Sequence, residues 1–217
     1  MSNFKAVLFD LDGTLLDTAE DLRDSMNVAL GELGFPPRTV QECKIFVGDG
    51  VENFAICALP PDCRDKDTVR RCVAAMRDDY ATRWAVKTQP YEGVAELLDA
   101  LAQRGVAMGI LSNKPDEFTK MMVARMLPRW RFDAVRGARK GAANKPDPAA
   151  ALEMACALNI VPADFIYVGD TNTDMRTAVA AGMFPVGALW GFRTAEELRA
   201  NGAKVLLERP TDLLKLL

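Results

Sequence analysis

The apolar run Ala6-Val7-Leu8, within a stretch from Lys5 to Phe9 that reads as a short buried strand, leads directly into Phe9-Asp10-Leu11-Asp12-Gly13-Thr14. A strand with one wet face alternates polar and apolar residues, whereas an unbroken apolar strand is covered on both faces, as in a parallel sheet flanked by helices. Ligands of such sheets bind outside the carboxyl ends of the strands, so Asp10 and Asp12 stand where chemistry is usually done. Two carboxylates this close repel unless something positive lies between them, and a divalent cation is the natural neutraliser. Asp, Gly and Thr also make ordinary turns, so the rest of the chain has to decide.

Downstream, the chain has two regimes. Residues 17–33, 39–58 and 67–84 carry helical spacing and no convincing strand between them, which predicts a helical insert over residues 16–86. From Val94 onward strands and helices alternate. The spacing predicts helices over 94–104, 116–127, 148–158 and 175–181, and strands over 106–111, 132–135, 165–168, 185–189 and 204–207. With the first strand added, the expectation is an α/β fold: a Rossmann-like parallel sheet with helices on both faces, built from residues 1–15 and 87–217.

Composition narrows the chemistry. Histidine is absent, which removes Ser-His and Cys-His nucleophile pairs and every His metal ligand, and leaves carboxylates as the main acids and bases. The net charge of −3 comes without a basic stripe, so no nucleic-acid partner is expected. No apolar run approaches the roughly 18 residues of a membrane span, and Met1-Ser2-Asn3-Phe4-Lys5 leads into the first strand without a secretory signal. No membrane partner and a cytoplasmic setting are therefore expected. Five Cys without a C-x-x-C pair read as reduced thiols, not as a disulfide or zinc framework.

Four segments at strand ends carry polar residues suited to holding a cation beside a phosphoryl group: Asp10 to Thr14, Ser112-Asn113, Lys145-Pro146 and Gly169 to Asp174. An EF-hand register fails at Leu15 and Asp21, Gly48-Asp49-Gly50 lacks the third glycine of a dinucleotide fingerprint, and no P-loop is present.

With D-x-D-G-T, the strand-end Ser112, the isolated Lys145 and G-D-x-x-x-D in that order, the whole chain resembles the haloacid dehalogenase superfamily of phosphotransferases. The insert resembles the small helical cap of its phosphoglycolate phosphatase-like members. The resemblance implies a Mg2+-dependent phosphatase acting on a small phosphorylated metabolite through an aspartyl-phosphate. Asp10 would be the nucleophile and Asp12 the general acid/base. Asp10, Asp170 and the backbone carbonyl of Asp12 would bind the metal. Ser112, Lys145, Asn113 and Thr14 would meet phosphate, and Asp174 would support the site from behind or cap the following helix. Lys44, Gly48 and Gly50 resemble the specificity segment of phosphoglycolate phosphatases, and a hinge would lie near 15–18 and 86–92. Sugar phosphatase, phosphoglucomutase-like and pyrophosphatase activities remain alternatives, as does a non-catalytic magnesium- and phosphate-binding scaffold. The chain would act as a monomer or homodimer.

Overall fold

The structure, a computed structural model, describes residues 4–217. It begins with β1 (Ala6–Phe9) and the two-residue β2 (Leu16–Asp17), followed by α1 (Ala19–Glu32), α2 (Val40–Phe46), α3 (Val51–Ala58) and α4 (Lys66–Arg83). After β3 (Gln89–Pro90) come α5 (Val94–Gln103), β4 (Ala107–Pro115), α6 (Asp116–Met126), β5 (Ala134–Ala138) and α7 (Ala149–Ala157). The chain closes through β6 (Phe165–Gly169), α8 (Asn172–Ala181), β7 (Phe184–Ala188), α9 (Ala195–Ala200) and β8 (Val205–Leu207). It forms two compact units, Met1–Leu16 with Pro90–Leu217, and Asp17–Gln89.

In the first unit, the described residues form a six-stranded sheet in the order β5-β4-β1-β6-β7-β8. Every neighbouring pair is parallel. Ala6 and Leu8 join Phe165 and Tyr167 on one face, packed with Met154 and Ala155 of α7 and Ala178 of α8. Val7 and Phe9 point the other way by the two-residue period of a strand, and they are equally buried. The apolar run is thus explained by helices on both faces of the sheet. From β1 the strands extend to β4 on one side and to β6 on the other, so the strand order reverses at β1 and the expected ligand crevice lies at the carboxyl ends of these three.

Several element boundaries depart from the sequence expectation. β4 does not stop at Leu111 but continues to Pro115, with a shift of register against β5 between those residues. Ser112, Asn113 and Lys114 therefore belong to the strand. The stretch 39–58 is two helices because Gly48 and Gly50 take φ of 137° and 88°, values that L side chains avoid and a helix cannot contain. α8 starts at Asn172, three residues early, because Thr171 caps it.

The second unit is helical. α1 packs along α4, and each buries one stripe, Leu22, Met26, Ala29 and Leu30 on α1 and Val69, Cys72, Met76 and Tyr80 on α4. Thr39 and Glu42 form a reciprocal capping box on α2, and Asp65 caps α4. Asp21 is buried in this unit, yet it accepts hydrogen bonds from Lys87 N (2.9 Å), Thr88 N (2.8 Å) and Thr88 Oγ1 (2.9 Å). Its carboxylate ties the start of α1 to the segment that ends the unit. Among the described residues, no helix is long and apolar enough to cross a membrane.

Candidate active site

At the exit of β1, Asp10 still belongs to the sheet, its N–H donating to Val168 O at 2.9 Å. The chain then folds back on itself. Leu15 N and Leu16 N both donate to Leu11 O (3.0 and 2.9 Å), and Gly13 N donates to Leu16 O (2.8 Å). Gly13 has φ +86°, and a Cβ there would strike the carboxylate of Asp170, so this turn requires glycine on both counts. Close approach brings Asp170 against the β1 loop, where Thr14 Oγ1 donates to Asp170 Oδ1 at 2.8 Å.

The other side of Asp170 is closed by the segment after β7. Phe192 N donates to Asp170 Oδ2 (2.8 Å), and the indole Nε1 of Trp190 donates to Thr14 O (2.9 Å). A Cβ at Gly191 would collide with both Asp170 and Gly13 O. This loop was not singled out for a role in the sequence, and it fixes both the β1 loop and Asp170.

Lys145 is buried, and its Nζ donates to Asp10 Oδ1 (2.8 Å), Asp174 Oδ1 (2.7 Å) and Leu111 O (3.0 Å). Asn113, expected to meet phosphate, instead clamps the Lys145 backbone: its Oδ1 accepts from Lys145 N at 2.9 Å and its Nδ2 donates to Lys145 O at 3.0 Å. Thr14, for which a phosphate contact was also expected, donates its hydroxyl hydrogen bond to Asp170 as described above. Asp174 serves two ends at once. One oxygen takes the Lys145 ammonium, and the other accepts from Thr171 N (3.0 Å) and Thr171 Oγ1 (2.6 Å), closing a capping box on α8.

One ligand oxygen each from Asp10, Asp170 and Asp174 lies within 4.8 Å of the other two. Against these three buried carboxylates the described residues supply one ammonium at hydrogen-bonding distance, Lys145. The cluster therefore holds two negative charges in excess, the deficit that one divalent cation would fill. The cost of that excess is visible in the titration of the acids. Burial, then the charge of Asp174, pushes Asp10 well above the usual carboxylate range despite Lys145. The same two causes push Asp170 up to about 7, against hydrogen bonds from Thr14 and Phe192 that favour its charge. Burial works against the Lys145 ammonium, but Asp10 and Asp174 outweigh it and hold the group firmly protonated. Hard oxygen ligands with an uncompensated charge of two suit Mg2+ or a similar cation. Asp170 and Asp174 each have both oxygens engaged, whereas among the described residues Asp10 Oδ2 takes no hydrogen bond.

Asp12 stays outside this cluster. Its two oxygens accept from Lys114 Nζ at 2.8 and 3.0 Å, and both side chains are largely buried. Ser112 is buried at the same strand end, where its Oγ accepts from Lys114 N at 3.1 Å. Lys114 takes no role from the sequence pattern, because with β4 ended at Leu111 it reads as loop, whereas it lies within the extended strand. Lys44, Gly48 and Gly50 lie in the helical unit, where Lys44 is in the last turn of α2 and Gly50 is the N-cap of α3.

The haloacid dehalogenase-like hydrolase family model matches residues 7–188. A phosphoglycolate phosphatase of Xylella fastidiosa is 32% identical over 207 residues, covering 95% of this chain and 90% of that one. One from Xanthomonas campestris pv. campestris is 33% identical over 210 residues, covering 96% and 94%. A crystal structure from Lactobacillus delbrueckii subsp. bulgaricus superimposes with a TM-score of 0.92 at 29% identity, over 99% of this chain and 98% of that one. The family model spans most of the chain and the relatives match it over nearly its whole length: the chain belongs to the haloacid dehalogenase-like hydrolases.

Proposed function

We propose that the protein is a Mg2+-dependent phosphatase that hydrolyses a small phosphate monoester, 2-phosphoglycolate, through an aspartyl-phosphate on Asp10. The observation that carries this reading is the buried cluster of three carboxylates around one ammonium, a charge deficit suited to a cation and a phosphoryl group together. Relatives named phosphoglycolate phosphatase over nearly the whole chain support the choice of substrate.

In this mechanism Asp10 attacks phosphorus with Oδ2 while Lys145 holds Oδ1. The bond to the leaving oxygen breaks, and Asp12 supplies that oxygen with a proton. Asp12 then takes a proton from the water that attacks the aspartyl-phosphate, which releases phosphate and restores Asp10. Ser112 Oγ donates to a transferring phosphoryl oxygen, and the Lys145 ammonium acts on the phosphoryl group as a point charge that also offsets Asp10. Asp10, Asp170 and the carbonyl of Asp12 would hold magnesium, which when bound neutralises the cluster and the charge developing on the phosphoryl group. Thr14 keeps Asp170 in place, Asp174 orients Lys145, and Asn113 fixes the backbone from which Lys145 extends. Residues 1–15 and 87–217 serve as the catalytic core. Residues 16–86 serve as a cap, with Lys44, Gly48 and Gly50 contributing to substrate choice. Free cysteines accord with work in the cytoplasm.

The test is a panel of phosphate monoesters with 2-phosphoglycolate, sugar phosphates and nucleotides, together with pyrophosphate, compared by kcat/KM in magnesium and in EDTA. The expected result is the highest kcat/KM for 2-phosphoglycolate, abolished by EDTA and restored by magnesium. A higher value for a sugar phosphate or pyrophosphate overturns the substrate assignment, and activity unaffected by EDTA overturns the metal.

A further inference from the structure

Two lysines of the α/β unit have largely buried side chains. Lys145 sits between Asp10 and Asp174. Lys114 belongs to a different acid: its Nζ lies 2.8 and 3.0 Å from the two oxygens of Asp12, with 8% of the lysine side chain and 12% of the aspartate exposed. The lysine extends from a fixed backbone. Lys114 N donates to Ser112 Oγ (3.1 Å), Lys114 O accepts from Thr119 Oγ1 (3.1 Å), and the ammonium passes 5.8 Å from the centre of the Phe118 ring.

On the reading of Asp12 as the group that protonates the leaving oxygen, this geometry has a consequence for the substrate. A leaving oxygen hydrogen-bonded to Asp12 lies about 2.7 Å from that carboxylate. The leaving oxygen is then about 5 Å from the Lys114 ammonium, because Asp12 is hydrogen-bonded to both, and a group attached to that oxygen can turn toward the ammonium. In the phosphate ester of a 2-hydroxy acid, the carboxylate is one carbon away from the leaving oxygen. An ammonium that already binds one carboxylate side-on is matched to a second of the same kind.

We propose that Lys114 is a specificity-determining residue of the core: its ammonium receives the carboxylate of the leaving group, shifting from Asp12 toward the substrate, and selects phosphate esters of short 2-hydroxy acids. Selection thus begins at the catalytic end of β4, independently of the helical insert. The inference rests on the proposed phosphatase reading and names the part of the substrate that the core recognises.

The experiment compares 2-phosphoglycolate with 2-hydroxyethyl phosphate, of similar size but without the carboxylate, on the full chain with magnesium, for the unmodified enzyme, Lys114→Met and Lys114→Arg. The readout is the ratio of kcat/KM for the two esters, which cancels any effect of the substitution common to both. A charge-assisted contact of this kind predicts that K114M lowers the ratio by about tenfold to a hundredfold, chiefly through KM for 2-phosphoglycolate, and that K114R restores most of it. If both esters lose activity in parallel and the ratio stays constant, Lys114 only positions Asp12 and the inference is overturned while the phosphatase stands. Equal kcat/KM for the two esters in the unmodified enzyme overturns it as well. An unmodified enzyme inactive on every ester of the panel defeats the phosphatase reading itself.

Discussion

Asp21 in the helical unit and Asp170 in the α/β unit are both almost completely buried, and they represent opposite uses of a buried acid. Asp21 is surrounded by donors from Lys87 and Thr88, and its charge is solvated by the protein. Asp170 also accepts two hydrogen bonds, from Thr14 and Phe192, but it shares its site with Asp10 and Asp174, and its carboxyl is pushed up to about 7. Burial is therefore not the mark of function. The mark is a charge that the fold concentrates and leaves short of a counterion, because such an arrangement persists only where something outside the chain completes it.

The sharpest break of this comparison is on the activity side. Asp10→Asn keeps the volume of the side chain and removes the proposed nucleophile, so kcat on the best ester of the panel is expected to fall by about 10⁴-fold or more. Because the same change also removes a charge from the over-full cluster, the melting temperature of the metal-free protein at pH 7.5 stays level or rises. Calorimetry beside the kinetics checks both. Retained activity in a folded D10N would mean that Asp10 is not the nucleophile.

Next in size is the contrast between the two acids themselves. Asp21→Asn turns an amide NH2 toward the N–H groups of Lys87 and Thr88 and is expected to destabilise by about 3 kcal/mol, with or without magnesium. Asp170→Asn should leave the metal-free protein at neutral pH as stable as before or more so, and should abolish the stabilisation by added magnesium. Thermal melts of both variants in EDTA and in magnesium test the pair. If D21N melted like the unmodified protein, or D170N kept its magnesium response, the distinction between a satisfied and an unsatisfied buried acid would fail.

Much of the α/β unit was legible in the sequence because its signals are local. An unbroken apolar run such as Ala6-Val7-Leu8 identifies a doubly covered strand, and the order of Asp10, Ser112, Lys145 and Asp170 places chemistry at strand ends, except that Lys145 lies in the loop after β5, which ends at Ala138. What was not legible depended on partners distant in the chain. The length of β4 beyond Leu111 is set by pairing with β5, and the pairing of Lys114 with Asp12 joins residues 102 apart in the chain. Likewise, Asn113 is equally suited to phosphate and to backbone, and its pairing with the Lys145 backbone depends on a segment 32 residues later. The helix capped by Thr194 went unseen because six residues carry too short a period to register. In the helical unit the hidden element was Asp21, whose hydrogen-bond donors lie more than sixty residues later.

The smallest expected effect concerns protons competing with the cation. In the unfolded chain Asp170 loses its proton near the ordinary value of 3.8, whereas in the folded metal-free protein it holds that proton to about 7. Below about pH 4 both states carry it; between there and about 7 the unfolded state ionises while the folded state does not, so the contribution of this group to stability declines as pH rises and is fully lost above about 7. The raised Asp10 adds in the same direction. Carboxyls held below their usual range, such as Asp79 beside Arg83 and Ser25, are ionised in both states across this window and do not oppose the trend. Metal-free protein is thus expected to melt a few degrees higher at pH 5 than at pH 7.5. Saturating magnesium, by excluding those protons, should raise the melting temperature by about 5 °C at pH 7.5 and by clearly less at pH 5. A magnesium response equal at both pH values would show that the cation binds away from Asp10 and Asp170, and would leave the excess charge of the cluster without the function assigned to it.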